Sequence, residues 1–188
     1  MFTSSFDYLI QIRQDANIGV RSAEIREVRF MTQRITASLW FEQNLEEAMN
    51  FYVDIFPDSA ILERNLMPEG GMAPAGSLVS SLFRLNGTEF IGINGGPYAT
   101  FNESVSFRIH ADTQEDIDYY WTRLTEGGEE SACGWLKDRF GLSWQVVPEI
   151  LLDLLNDPDP NRASRVMKAM LEMTKIDIPT LIAAADAS

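Results

Sequence analysis

The chain is short of the residues that most often carry catalytic chemistry, with one cysteine and one histidine in 188 residues. A lone cysteine cannot close an internal disulfide, so nothing points to an oxidising compartment and the cytoplasm is the expected location. One histidine, His110, cannot supply the two or more imidazoles common in zinc sites. The HExxH, CxxC and GxSxG signatures are absent. Gly70-Gly71 and Gly95-Gly96-Pro97 lack both the spacing of a phosphate-binding loop and a helix to follow it. Cations are scarce too: 15 Lys and Arg stand against 28 Asp and Glu, a formal charge of −13. Such a surface repels nucleic acid and anionic membranes, so neither is an expected partner. No apolar run reaches the roughly 18 residues of a membrane span. The first residues also lack the basic start and apolar stretch of a signal peptide.

What is present is a patterned globular sequence, 45% hydrophobic and 23% charged, long enough for one domain or two small subdomains. Residues 1–33 carry no cap or turn signal that organises them; they read as an N-terminal extension, with Met31 a candidate start. From Ile35 the pattern sharpens. Ile35, Ala37, Leu39 and Phe41 alternate as in a strand with one apolar face. Asn44 is a candidate N-cap for a helix whose apolar side holds Leu45, Ala48, Met49, Tyr52 and Phe56, ended by Pro57-Asp58. A strand over 61–67 runs into a Gly/Pro-rich loop expected to be mobile. Strands over 78–85 and 88–94 flank Asn86-Gly87, the strongest short hairpin signal.

The order then repeats. A strand over 104–111 precedes a helix capped by Asp112 or Thr113, which carries Ile117, Tyr120, Trp121 and Leu124 and stops at Gly127-Gly128. A closing hairpin pairs 135–138 with 142–147. After Pro148 three short helices follow, their apolar positions including Leu151, Leu154, Val166, Met170 and residues 178–185, suited to docking on the domain or on a second subunit. Methionine's flexibility suits either. The chain therefore divides into the extension 1–33, paired modules over 34–148 and a helical tail over 149–188.

Reactive-looking residues have plainer readings. His110 is a strand-end residue, Cys133 a small buried thiol, and Lys137-Asp138-Arg139 a solvated turn in which Asp138 bonds backbone amides. Their alternatives are a general base or single ligand, a nucleophile and a catalytic pair.

The segments ITASLWFEQNLEEAMNFYVDIFPDS, VSFRIHADTQEDIDYYW, CGWLKDRFGLSWQVVP and MKAMLEMTKIDIPTL resemble the PhnB-like branch of the vicinal oxygen chelate superfamily, which includes glyoxalase I, bleomycin-resistance proteins and extradiol dioxygenases. The branch is often described as 3-demethylubiquinone-9 3-methyltransferase. The resemblance spans Ile35 to about Leu181 and is most specific at CGWLKDRFGLSWQVVP. It implies an α+β fold of two βαβββ modules that form a half-barrel with a ligand on its concave side, plus C-terminal helices. Metal-dependent members hold a divalent ion there with histidines or carboxylates. The matching positions here fall at Ala37, at Ile91 or Asn94, at Val105 or Ser106, and at Gln145, a set that makes no chelate; glutamine offers only a neutral oxygen. No metal or other cofactor is therefore expected, a divalent ion being the alternative.

The resemblance implies a metal-independent protein that binds a small apolar or aromatic molecule. Its pocket walls would come from Trp40 or Leu39, Phe83, Phe90, Phe107 and Trp135, with Gln145 orienting the ligand. It also implies a homodimer. The alternatives are an isomerase or lyase with an unusual metal site, a quinone-ring methyltransferase as the branch is described, or an interaction module whose tail holds a dimer.

Overall fold

A computed structural model describes residues 35–187; the reading of 1–33 as an extension lies outside them. Strand β1 (Ala37–Phe41), helix α1 (Leu45–Ile55) and strands β2 (Ala60–Leu66), β3 (Leu78–Leu85) and β4 (Thr88–Asn94) form one βαβββ module. The second comprises β5 (Phe107–His110), α2 (Gln114–Thr125), β6 (Glu129–Glu130), β7 (Trp135–Lys137) and β8 (Ser143–Val147). Helices α3 (Glu149–Leu155), α4 (Pro160–Leu171) and α5 (Ile178–Asp186) follow. Each module makes a four-stranded mixed sheet of the same topology, β1-β4-β3-β2 and β5-β8-β7-β6, in which the first strand pairs parallel to the last. This is the glyoxalase/bleomycin-resistance-like fold, with no closed barrel. No helix among the described residues is long and apolar enough to cross a membrane.

Local chemistry explains the elements. Asn86 and Gly87 both take positive φ, 46° and 79°, as a two-residue hairpin turn between strands requires. Thr113 and Asp116 form a reciprocal capping box at the start of α2. The Asn44 cap is a correction: its side chain makes no capping bond. The free amide of Leu45 instead donates to Oδ1 of Asn94, 3.0 Å away on β4, while Nδ2 of Asn94 donates to the Leu78 carbonyl at 3.0 Å. A cap delivered by a strand residue 49 positions downstream leaves no local sequence signal.

Period-two alternation gives each sheet two unlike faces. In the first sheet, Leu39 is in register with Gly92 and Ala37 with Phe90, and Phe90 pairs with Phe83. These residues lie under α1; a Cβ on Gly92 would meet the Leu45 side chain at 2.1 Å. In the second, Phe107, Trp144 and Leu136 share one row and Ile109 and Val146 the next. The two helix-bearing faces meet in one core. Phe90 contacts Phe107 edge-on at 5.1 Å between centroids, and Trp144 packs against Phe56 at 5.2 Å and Tyr52 at 5.7 Å. Trp40, Leu82, Ile91, Ile93 and Trp135 lie on the opposite faces, outside that core.

The tail docks on its own chain. Val166, Ile176, Leu181 and Ala185 are essentially fully buried within the core. The amides of Cys133 and Gly134 donate to the carbonyls of Met173 and Thr174, each at 2.8 Å. Cys133 is half-buried rather than buried and sits at φ 58°, in the turn before β7.

Replacing Asn94 with Ala should remove the α1 cap and strand the Leu78 carbonyl, costing about 1–2 kcal/mol. Urea denaturation of the variant against wild type measures this, and an unchanged midpoint would refute the capping role.

Candidate ligand-binding site

The strongest polar construction in the molecule is built on Asp138, in the turn between β7 and β8. It is 3% exposed. Its Oδ1 accepts from the amides of Phe140 and Leu142 at 2.8 and 3.0 Å, which closes the hairpin turn as the sequence suggests. Its Oδ2 accepts from the Tyr52 hydroxyl at 2.7 Å and from Trp144 Nε1 at 2.9 Å. Burial pushes the Asp138 carboxyl up from its ordinary value, against the opposing pull of the Trp144, Tyr52 and backbone donors. Burial, then the Asp138 charge, also raises the Tyr52 hydroxyl well above its usual range. All four donors come from the protein and the group is sealed in the core, so this carboxylate is structural. Its neighbours face water: Lys137 pairs with Glu103, and Arg139 with Glu126 while lying 4.6 Å over the Phe51 ring. His110 is a strand-end residue with 60% of its side chain exposed, against Glu149.

The residues considered as pocket walls separate by face. Leu39, Phe83, Phe90 and Phe107 lie on the helix-bearing faces and are core residues. Period two places every second strand residue there, and large apolar side chains alone do not say which face the helix covers. Trp40 lies on the outer face of the first sheet, with its Nε1 donating to the Gly96 carbonyl at 2.9 Å. Its indole occupies the space a Cβ on Gly95 would need, at 2.0 Å, so this glycine pair accommodates a ring rather than a phosphate.

Gln145 and Trp135 are cross-strand partners on the outer face of the second sheet, and Gln145 is also in register with Arg108 on β5. The Gln145 amide is fixed by Ser106, with 2.8 Å between Nε2 and the hydroxyl. Arg108, Gln145 and Trp135 thus form one row of guanidinium, amide and indole across three strands. Arg108 escaped the sequence reading because β5 is short and its first residues read equally well on either face.

The four positions at which metal-dependent relatives would carry ligands are not gathered together. Ala37 and Asn94 lie on the core face, Asn94 engaged in capping α1; Ile91 lies on the outer face of the first sheet. Ser106 and Gln145 adjoin on the second. Among the described residues no group of three or more His, Cys, Asp or Glu could hold an ion.

Residues 33–147 match the family model described as 3-demethylubiquinone-9 3-methyltransferase. Among solved structures, a PhnB protein from Bacillus cereus with the same description is 34% identical, covering 62% of this chain and 99% of its own, with a TM-score of 0.57. A protein from Pseudomonas aeruginosa is 21% identical over 62% of this chain and 98% of its own, with a TM-score of 0.51, a likeness of fold. No curated protein matches.

Two outcomes test the Asp138 assignment. In Asp138→Asn the side-chain NH2 must replace one acceptor oxygen and so face donors, either the Phe140 and Leu142 amides or Tyr52 and Trp144 Nε1, and stability should fall by about 1–3 kcal/mol. The carboxyl is raised in the folded state, so its contribution is greatest below the unfolded value of 3.8 and is lost as pH rises through the folded value. The stability gap between wild type and Asp138→Asn should therefore narrow with rising pH over that window. A gap that widens would contradict a carboxyl raised by burial.

Proposed function

Because the chain belongs to the family described as 3-demethylubiquinone-9 3-methyltransferase, the PhnB-like branch of the vicinal oxygen chelate superfamily, we propose that it binds a small apolar or aromatic molecule without a resident metal. The observation that carries this reading is Gln145. At the closing strand, where the resemblance places a metal-binding carboxylate, stands a neutral amide held by a serine hydroxyl. The remaining positions add an alanine, an isoleucine or a capping asparagine, and a serine or valine. These donors do not fit a divalent ion, which favours several charged or imidazole ligands.

The outer sheet faces supply the chemistry of a ligand cleft, apolar walls with a few placed polar groups. Trp40, Leu82, Ile91 and Ile93 provide the former on one sheet, and Gln145, Ser106 and Arg108 the latter on the other. A homodimer would complete the cleft. Both helix-bearing faces are consumed in the chain's own core, which leaves the outer faces to meet a second copy. The tail is spent on the same chain and is not needed as the interface.

Methyl transfer to a quinone ring is the second reading, favoured by the family description. The glycine pairs and strand ends offer no recognisable cradle for a sulfonium cofactor.

Purified protein should carry far less than one divalent ion per chain, sediment as a dimer, and keep its melting temperature in EDTA. About one ion per chain would sink the metal-free reading. Trp40→Ala should weaken binding of a neutral aromatic probe such as benzamide by about tenfold. Stabilisation by S-adenosylmethionine, about 2.7 kcal/mol at 100 times its dissociation constant, would favour the methyltransferase instead.

A further inference from the structure

Arg108 stands apart from every other described arginine. Arg64, Arg84, Arg123 and Arg139 each meet a carboxylate, Arg162 meets those of Asp157 and Asp186, and Arg165 donates to the carbonyls of Ala184 and Ala185. Among the described residues Arg108 has neither kind of partner, although the chain carries 28 acidic residues. Its Nε is buried and makes no hydrogen bond. The Arg162 Nε, also buried without an aligned hydrogen bond, lies 3.2 Å from the Asp157 carboxylate and so has its counter-charge.

Three acids of the same module and its flank are engaged elsewhere: Glu103 with Lys137, Glu130 with Trp121 Nε1, and Glu149 with His110. Arg108 is only partly buried, yet a buried guanidinium N–H without an acceptor is costly, and buried polar groups in native proteins are almost always paired. An arginine fork matches a carboxylate with two parallel bonds. Beside it the Gln145 amide, held by Ser106, offers a further hydrogen bond, and next in the row comes the Trp135 indole.

We propose that Arg108, Gln145 and Trp135 form the recognition row for an aromatic carboxylate: Arg108 pairs with the anionic group, Gln145 fixes its plane and Trp135 contacts the ring. This rests on the ligand-binding reading above and narrows it, giving the ligand a negative charge. A fixed guanidinium would thus perform the charge recognition that metal-dependent relatives assign to an ion.

Calorimetric titration of the full chain with benzoate and with benzamide, its neutral counterpart of the same shape, tests the proposal. Wild type should bind benzoate about tenfold or more tightly than benzamide. Arg108→Gln should erase that preference by lowering benzoate affinity to the level of benzamide, and Arg108→Lys should retain part of it, because charge remains and the fork is lost. Thermal melting confirms that each variant is folded; if Arg108→Gln is not, the benzoate preference of wild type and its reduction in Arg108→Lys carry the test. Equal binding of both probes by wild type overturns the proposal and leaves the ligand-binding reading standing. Binding of neither overturns both. Conversion of Arg108→Gln to a monomer, with the benzoate preference intact in the remaining dimer, would assign Arg108 to a carboxylate of the second copy and overturn the proposal.

Discussion

One buried carboxylate ties the two modules together. Asp138 holds the amides of its own turn with one oxygen, and Tyr52 of the first module and Trp144 of the second with the other. An ion sealed from water is tolerable when its acceptor positions are filled, and a single missing donor makes it costly. Helix α1 must therefore approach β8 at one height and one rotation. The rings packed round it, Phe140 against Tyr52 and Phe51, and Phe56 against Trp144, follow from that constraint.

Fixing the modules through their helix-bearing faces decides what the other faces can do. Sheet residues divide between two tasks at every second position. Phe83, Phe90 and Phe107 close the core, while Trp40, Trp135, Gln145 and Arg108 lie on the opposite faces. In a chain of net charge −13, an arginine without a carboxylate is a local inversion of the surrounding field. Long-range repulsion of anions is screened within about 10 Å at ordinary ionic strength, so a short-range fork can still select one.

The sequence exposes those features whose causes are local. The Asn86-Gly87 hairpin lies where its dipeptide places it, and strands β3 and β4 have the boundaries their alternation suggests. Thr113 caps α2 because its partner Asp116 is three residues away. Features made by distant partners are hidden. Asn94 caps a helix 49 residues upstream, and the second half of the Asp138 network needs Tyr52, 86 residues away. Strand β6, two residues long, is shaped by its pairing with β7 rather than by any pattern of its own. Alternation shows that Gln145 and Trp144 point to opposite sides, yet which side meets the helices is decided by packing. The same ambiguity makes Leu39, Phe83, Phe90 and Phe107 read as pocket walls and hides Arg108.

The docking of the tail onto the turn at Cys133 and Gly134 bears on how the protein is made. The first module has all its strands once Asn94 has left the ribosome. The second does not, because Met173 and Thr174 supply acceptors to the turn preceding β7 and Ile176 packs against Gly134. During synthesis the closing hairpin is therefore left without its last support until the segment around Ile176 emerges. The interval is a window in which a chaperone or a neighbouring nascent chain can reach apolar surface that the mature protein conceals.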